Sequence, residues 1–96
     1  MASYRLSELA AEDLSQIFEF VIDNFGLSAA SSYIDGITKR FLQLADAPLQ
    51  YQSVNDIREG YRRSVYGRHA IYYRASESGI DIMRILKNQN ILNAFK

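Results

Sequence analysis

The sequence predicts an α+β domain in which an antiparallel helical hairpin precedes an antiparallel sheet. Two observations carry this expectation. From Leu6 to Ala45 apolar residues recur every three or four positions, the period of a helix with one buried face. After Gly60 the pattern shortens to runs of aromatic and β-branched residues separated by Gly and Ser clusters, the signature of strands and tight turns.

Taken in chain order, Tyr4-Arg5-Leu6 is a short mixed segment that can join the sheet as an extra strand. Ser7 follows as a helix N-cap, with Glu8, Glu12 and Asp13 placed where the helix dipole favours negative charge. Leu6, Ala10, Leu14, Ile17, Val21 and Phe25 form the apolar stripe, widened by Phe18 and Ile22, and Asn24-Phe25-Gly26 stops the helix. Ser28 caps a second helix whose stripe is Ala30, Tyr33, Ile34, Ile37, Phe41, Leu44 and Ala45, ended by Pro48. With only Gly26 and Leu27 between them, the helices must return antiparallel and bury facing stripes. Gly36, inside the second helix, is expected to mark close packing against the first. The polar stretch Leu49 to Gly60 reads as a surface loop with one turn of helix. Tyr61–Tyr66, His69–Ala75 and Ile80–Leu86 then form three strands of a meander. The expected core is Leu14, Ile17, Phe18, Val21, Ile37, Phe41, Ile71, Tyr73, Ile82 and Ile85.

A chain of 96 residues suits one domain, taken here as 1–96, and 48% hydrophobic residues with seven Tyr and five Phe can bury a core without staples. Cysteine is absent, which excludes a disulfide framework and thiolate chemistry and fits a reducing, cytoplasmic setting. No apolar run approaches the roughly 18 residues of a membrane span. The zero net charge hides a polarity. Residues 1–56 carry three basic side chains against eight acidic, and residues 57–96 carry eight against three, so the halves are minus five and plus five. Either the two halves complement each other, or a basic face awaits an acidic partner.

Catalytic chemistry finds little support. His69 is the lone histidine, at a strand entry, so neither a multi-histidine metal site nor a histidine pair is available. No serine stands in a nucleophile elbow, and the five glycines are isolated, so no phosphate loop exists. The arginines are more informative. Arg58, Arg62, Arg63, Arg68, Arg74 and Arg84 all lie in the loop and sheet, interleaved with Tyr61, Tyr66, Tyr72 and Tyr73. A face of this kind can hold carboxylates or phosphates, while tyrosines in strands also serve simply as packing.

The order helix, helix, loop, strand, strand, strand, with Arg58-Glu59-Gly60-Tyr61-Arg62-Arg63, His69-Ala70-Ile71-Tyr72-Tyr73-Arg74 and Ile82-Met83-Arg84-Ile85-Leu86, resembles the RelE/ParE toxins of bacterial toxin–antitoxin systems. The opening Tyr4-Arg5-Leu6-Ser7 with Ala10, Asp13-Leu14 and Ile17, and the strand Ile71-Tyr72-Tyr73-Arg74, are similar to the ParE branch. The resemblance spans nearly the whole chain. It implies a curved antiparallel sheet with both helices packed against it.

Function divides within that superfamily. RelE-like members cut messenger RNA on the ribosome with a basic cluster and a Tyr or His near the C-terminus, whereas ParE-like members poison DNA gyrase. Here Lys87-Asn88-Gln89-Asn90-Ile91-Leu92-Asn93-Ala94-Phe95-Lys96 supplies neither Tyr nor His. Lys87 stands where many ParE-like chains have His, and the glycine common shortly after the loop proline is missing. The ParE-like reading implies a gyrase inhibitor with no catalytic residue and no cofactor or metal. It acts in plasmid or chromosome stabilisation and forms a hetero-oligomer with a ParD-like antitoxin. Arg58, Arg62, Arg63, Arg68 and Arg74 are the expected antitoxin contacts, and Arg84 and Lys87 the expected target contacts. No sequence-specific nucleic-acid binding is expected. The alternatives are a ribosome-dependent ribonuclease, or an inactive scaffold that only binds antitoxin.

Overall fold

The computed structural model describes residues 3–87. Strand β1 (Ser3–Leu6) leads into helices α1 (Glu8–Phe25) and α2 (Leu27–Asp46), followed by the two-residue strand β2 (Gln52–Ser53) and the meander β3 (Tyr61–Tyr66), β4 (His69–Ser76) and β5 (Gly79–Lys87). The five strands form one sheet in the order β1-β5-β4-β3-β2. All pairings are antiparallel except that of β1, which runs parallel to β5 with Ser3 opposite Gly79 and Leu6 opposite Ile82. The sheet is therefore mixed. Hydrophobic alternation puts Tyr4 and Leu6 on the core side but carries no information about strand direction.

The junction between β1 and α1 is held from three sides. Ser7 caps α1 by accepting from the Ala10 amide at 3.0 Å, as its residue type predicts. Its hydroxyl also donates to the Met83 carbonyl at 2.8 Å, and its amide donates to the Ile82 carbonyl at 2.9 Å. One residue thus ends a strand, starts a helix and ties both to β5.

Gly26 alone separates the helices. At φ 92° it takes a conformation costly for any residue with a Cβ, its amide closes α1 onto Ile22 and its carbonyl opens α2 by accepting from Ala30. Ser28, expected as the second cap, lies inside α2, which has no side-chain cap at its start. Gly36 also differs from expectation. A Cβ there would collide with the Tyr66 hydroxyl of β3, so this glycine makes room for the sheet and not for α1.

The core lies between the hairpin and one face of the sheet. Ile37, Phe41, Ile71, Tyr73 and Ile82 are fully buried, and Ile17 and Ile85 nearly so. Leu14, Phe18 and Val21 are only half-buried, with Leu14 and Val21 packed against the margin of the core. The stretch after Pro48 is more structured than a surface loop. Gln52 and Ser53 pair with Arg63 and Arg62, and a turn then folds Val54 and Ile57 over the sheet's other face. There Val54, Ala70 and Tyr72 are buried, with Ile57, Tyr61 and Leu86 against them.

Where β4 meets β5, Tyr72 is opposite Arg84 and Tyr73 opposite Ile82, which leaves Met83 as an extra residue in a β-bulge. Beyond this point β1 has ended and the edge of β5 is open. Asp13 of α1 closes it, accepting from the Ile85 amide at 2.9 Å and from Arg84 Nε and Nη2 at 2.8 and 3.0 Å. The bidentate pair is largely buried, with Asp13 11% and Arg84 23% exposed. It raises the Arg84 pKa through the hydrogen bonds to Asp13. Asp13, read from the sequence as a dipole-facing charge, is the clamp between helix and sheet.

Candidate functional site

Strand alternation decides which arginines share a face. Arg63 is opposite Tyr72 and Arg74 opposite Tyr61, so both occupy the outer face, away from the helices. The guanidinium of Arg63 interacts with the Tyr72 hydroxyl, whose pKa is raised by burial and held back by that charge. Arg74 joins a row across three strands in which Asp81 is flanked by Arg5 at 3.2 Å and Arg74 at 3.4 Å. Both arginines are well exposed, so these pairs add little stability. Arg58 is exposed in the covering turn, and Arg68 is exposed in the β3–β4 turn.

Arg62 points the other way. It lies opposite Tyr73 on the helix face and donates through Nη1 to the Tyr51 carbonyl at 2.7 Å. The Tyr73 hydroxyl donates to the Pro48 carbonyl at 2.9 Å, and burial pushes its pKa up to about 12. Together these two side chains tether the start of the 47–53 segment. The structure thus gathers Arg58, Arg63 and Arg74 around the outer face, leaves Arg68 at one end, and uses Arg62 as an internal brace. Of the two expected target contacts, Arg84 is held by Asp13, whereas Lys87 is exposed with Nζ 5.3 Å from the centre of the Phe20 ring.

Two depressions flank α1. Leu6, Ala11, Leu14, Ser15 and Phe18 with Ile34 of α2 line an open groove of about 270 Å³ that contains no charged side chain. It explains the partial exposure of Leu14 and Phe18: the wide apolar stripe noted in the sequence serves the core with one edge and this groove with the other. The sequence pattern held that signal, but two-sided use of a stripe is invisible until the sheet is placed. The second depression, about 330 Å³, lies on the opposite side of α1 against the end of β5, and His69 lines it.

His69 is more than a strand-entry residue. Its Nδ1 is 2.7 Å from the Tyr33 hydroxyl of α2, which is also 3.2 Å from the Tyr66 carbonyl and accepts from the Arg68 amide. Burial, and secondarily the positive charge of Lys87, lower the His69 pKa below its ordinary value of 6.5. Among the described residues no cluster of His, Asp or Glu is arranged to hold a metal ion, and no helix is long and apolar enough to cross a membrane.

A strand, a helical hairpin and a meander that returns to the first strand define a small α+β fold that is also found in a solved structure. A solved chain of the chromosomal ParDE TA system from P. aeruginosa superposes with a TM-score of 0.76 at 21% identity, covering 91% of this chain and 96% of that one. The family model for the ParE toxin of type II toxin–antitoxin systems matches residues 4–92. Toxin ParE1 of Caulobacter vibrioides is 31% identical over 86 residues, 90% of this chain and 88% of that protein. Toxin ParE1 of Mycobacterium tuberculosis is 31% identical over 84 residues, 86% of each chain. The chain belongs to the ParE toxin family of type II toxin–antitoxin systems.

Proposed function

We propose that this chain poisons DNA gyrase by holding the cleaved DNA complex against religation, and that a ParD-like antitoxin silences it. The observation that carries this reading is membership of the ParE family over nearly the whole chain, from Tyr4 to Leu92. The sequence after Arg84 also contains no Tyr or His to serve the ribonuclease alternative. The uncharged groove between α1 and α2 suits one face of an amphipathic antitoxin helix, and the arginines around the outer face suit an acidic continuation of the same segment. Apolar anchors in such a contact supply affinity, and the charges supply rate and register. No residue is assigned a catalytic role, and the site of action is the cytoplasm.

Purified protein in a supercoiling assay is expected to inhibit gyrase or accumulate cleaved DNA, to leave messenger RNA intact in a translation extract, and to lose its effect when cognate antitoxin is added. Codon-specific RNA cleavage with no effect on gyrase overturns the reading in favour of the ribonuclease. Silence in both assays makes the chain an inactive scaffold.

A further inference from the structure

The antitoxin contact proposed above uses one flank of α1. Positions 11, 14, 15 and 18 line that groove, and positions 13, 16, 17 and 20, about half a helical turn away, line the depression against β5. The second depression differs in chemistry as well as in place. Its wall combines the half-exposed Phe20 ring and the apolar Ile17 and Leu86 with Gln16, His69, Arg84 and Lys87.

Two of these polar groups are committed internally. Asp13 takes Nε and Nη2 of Arg84 and neutralises it. Tyr33 occupies the Nδ1 side of His69, and among the described residues the other ring nitrogen has no hydrogen-bond partner and can serve a ligand. Lys87 makes no ion pair among the described residues and rests over Phe20. The depression therefore offers one uncompensated positive charge, an imidazole nitrogen and an aromatic ring within a space at the low end for small-ligand sites.

We propose that this depression holds one nucleotide unit of a single nucleic-acid strand, its phosphate against Lys87 and His69 and its base against the Phe20 ring. A carboxylate side chain would satisfy Lys87 but leave the ring and the apolar floor uncovered, whereas a nucleotide meets both. Stacking on an aromatic face tolerates every base, and Gln16 alone cannot read a base edge pattern, so the contact is indifferent to sequence. The proposal deepens the gyrase reading and rests on it for the source of the strand, a DNA segment opened in the cleaved complex.

The test titrates the full chain with a short single-stranded oligothymidylate, following the His69 ring by NMR and the affinity across a salt series. Binding is expected to move the His69 ring signals and to raise the pKa of that ring, since a phosphate beside it favours the protonated form. Tyr33, Arg68, Lys87, Arg84 and Asp13 are the titratable or charged groups around the ring or lining the same depression. Lys87→Gln should lower the slope of log affinity against log salt by about 0.7, the loss of one phosphate contact with a single strand. Phe20→Ala should weaken binding by about fivefold or more through lost stacking. Both side chains are exposed, and circular dichroism checks that the fold is kept.

An unmoved His69 ring at millimolar oligonucleotide overturns the proposal. So does equal affinity for inorganic phosphate alone, or an oligonucleotide affinity that neither substitution changes. Gyrase trapping that survives in a doubly substituted protein unable to bind the strand overturns the site's part in trapping and leaves the gyrase reading standing. Strand binding at this site without any gyrase effect supports the site and removes the gyrase reading.

Discussion

The two faces of the sheet are closed by different means. The inner face is covered by two helices of 18 and 20 residues whose apolar stripes meet Ile71, Tyr73, Ile80, Ile82 and Ile85. The outer face is covered only in part, by a turn that brings Val54 and Ile57 over Ala70 and Tyr72. Val65, on the same outer face, stays 45% exposed, and the basic side chains Arg58, Arg63 and Arg74 surround the covered area. A face closed by a helical hairpin is sequestered and fixed by packing. A face closed by a short turn keeps polar groups at the surface, where a partner can reach them. Dense packing and exposed charge are thus divided between opposite sides of the same strands.

Truncation of one anchor on each side measures the division. Phe41→Ala removes a fully buried ring from the inner core and is expected to cost about 3–5 kcal/mol in chemical denaturation. Val54→Ala removes two methyl groups from the outer cluster, at about 1–2 kcal/mol. Equal losses would mean that the turn is as integral to the fold as the hairpin, and the contrast between the faces would disappear.

The clamp at the edge of β5 sharpens the same contrast, because it binds the inner layer to the sheet by polar contacts. Asp13→Ala leaves the Arg84 guanidinium and the Ile85 amide without their carboxylate, and about 2–4 kcal/mol should be lost. Hydrogen exchange should quicken first at Ile85, which is bonded to Asp13. If protection there is unchanged, Asp13 is an ornament of the surface and α1 is held by its apolar stripe alone.

The smallest expected effect belongs to His69, which touches α2 through Tyr33 at the end of the inner layer. Its folded pKa lies below the ordinary 6.5, so the unfolded chain binds the proton more readily. The stabilisation is complete above the ordinary value and declines as pH falls through it toward the lower folded value. The denaturation midpoint should therefore drop below about pH 6.5, and His69→Gln should flatten that drop. Parallel declines in both proteins would place the titration elsewhere.

Much of the architecture could be read from local pattern. Ser7 as a cap, Gly26 as the helix break and the bounds of β3 follow from residue types that act on their immediate neighbours. The ordered motifs around Arg58–Arg63, His69–Arg74 and Ile82–Leu86 also carried the resemblance that the family comparison bears out. Less of the candidate site was legible. The charge polarity of the chain located a basic half but could not sort it, because Arg62 and Arg63 are adjacent in sequence and point to opposite faces.

The sequence by itself determined the two helices, the three meander strands, the Ser7 cap, seven of the ten expected core residues and the family, since periodicity and short motifs depend on contacts a few residues apart. Tertiary structure alone decided that β1 runs parallel to β5 and that Gly36 makes way for Tyr66. It also decided that Asp13 reaches 72 residues along the chain to Ile85. It brought His69 to Tyr33 and Lys87 to Phe20, and divided α1 between two grooves. The physical reason is common to all of these: a period says which way a side chain points, but what it meets depends on elements distant in sequence.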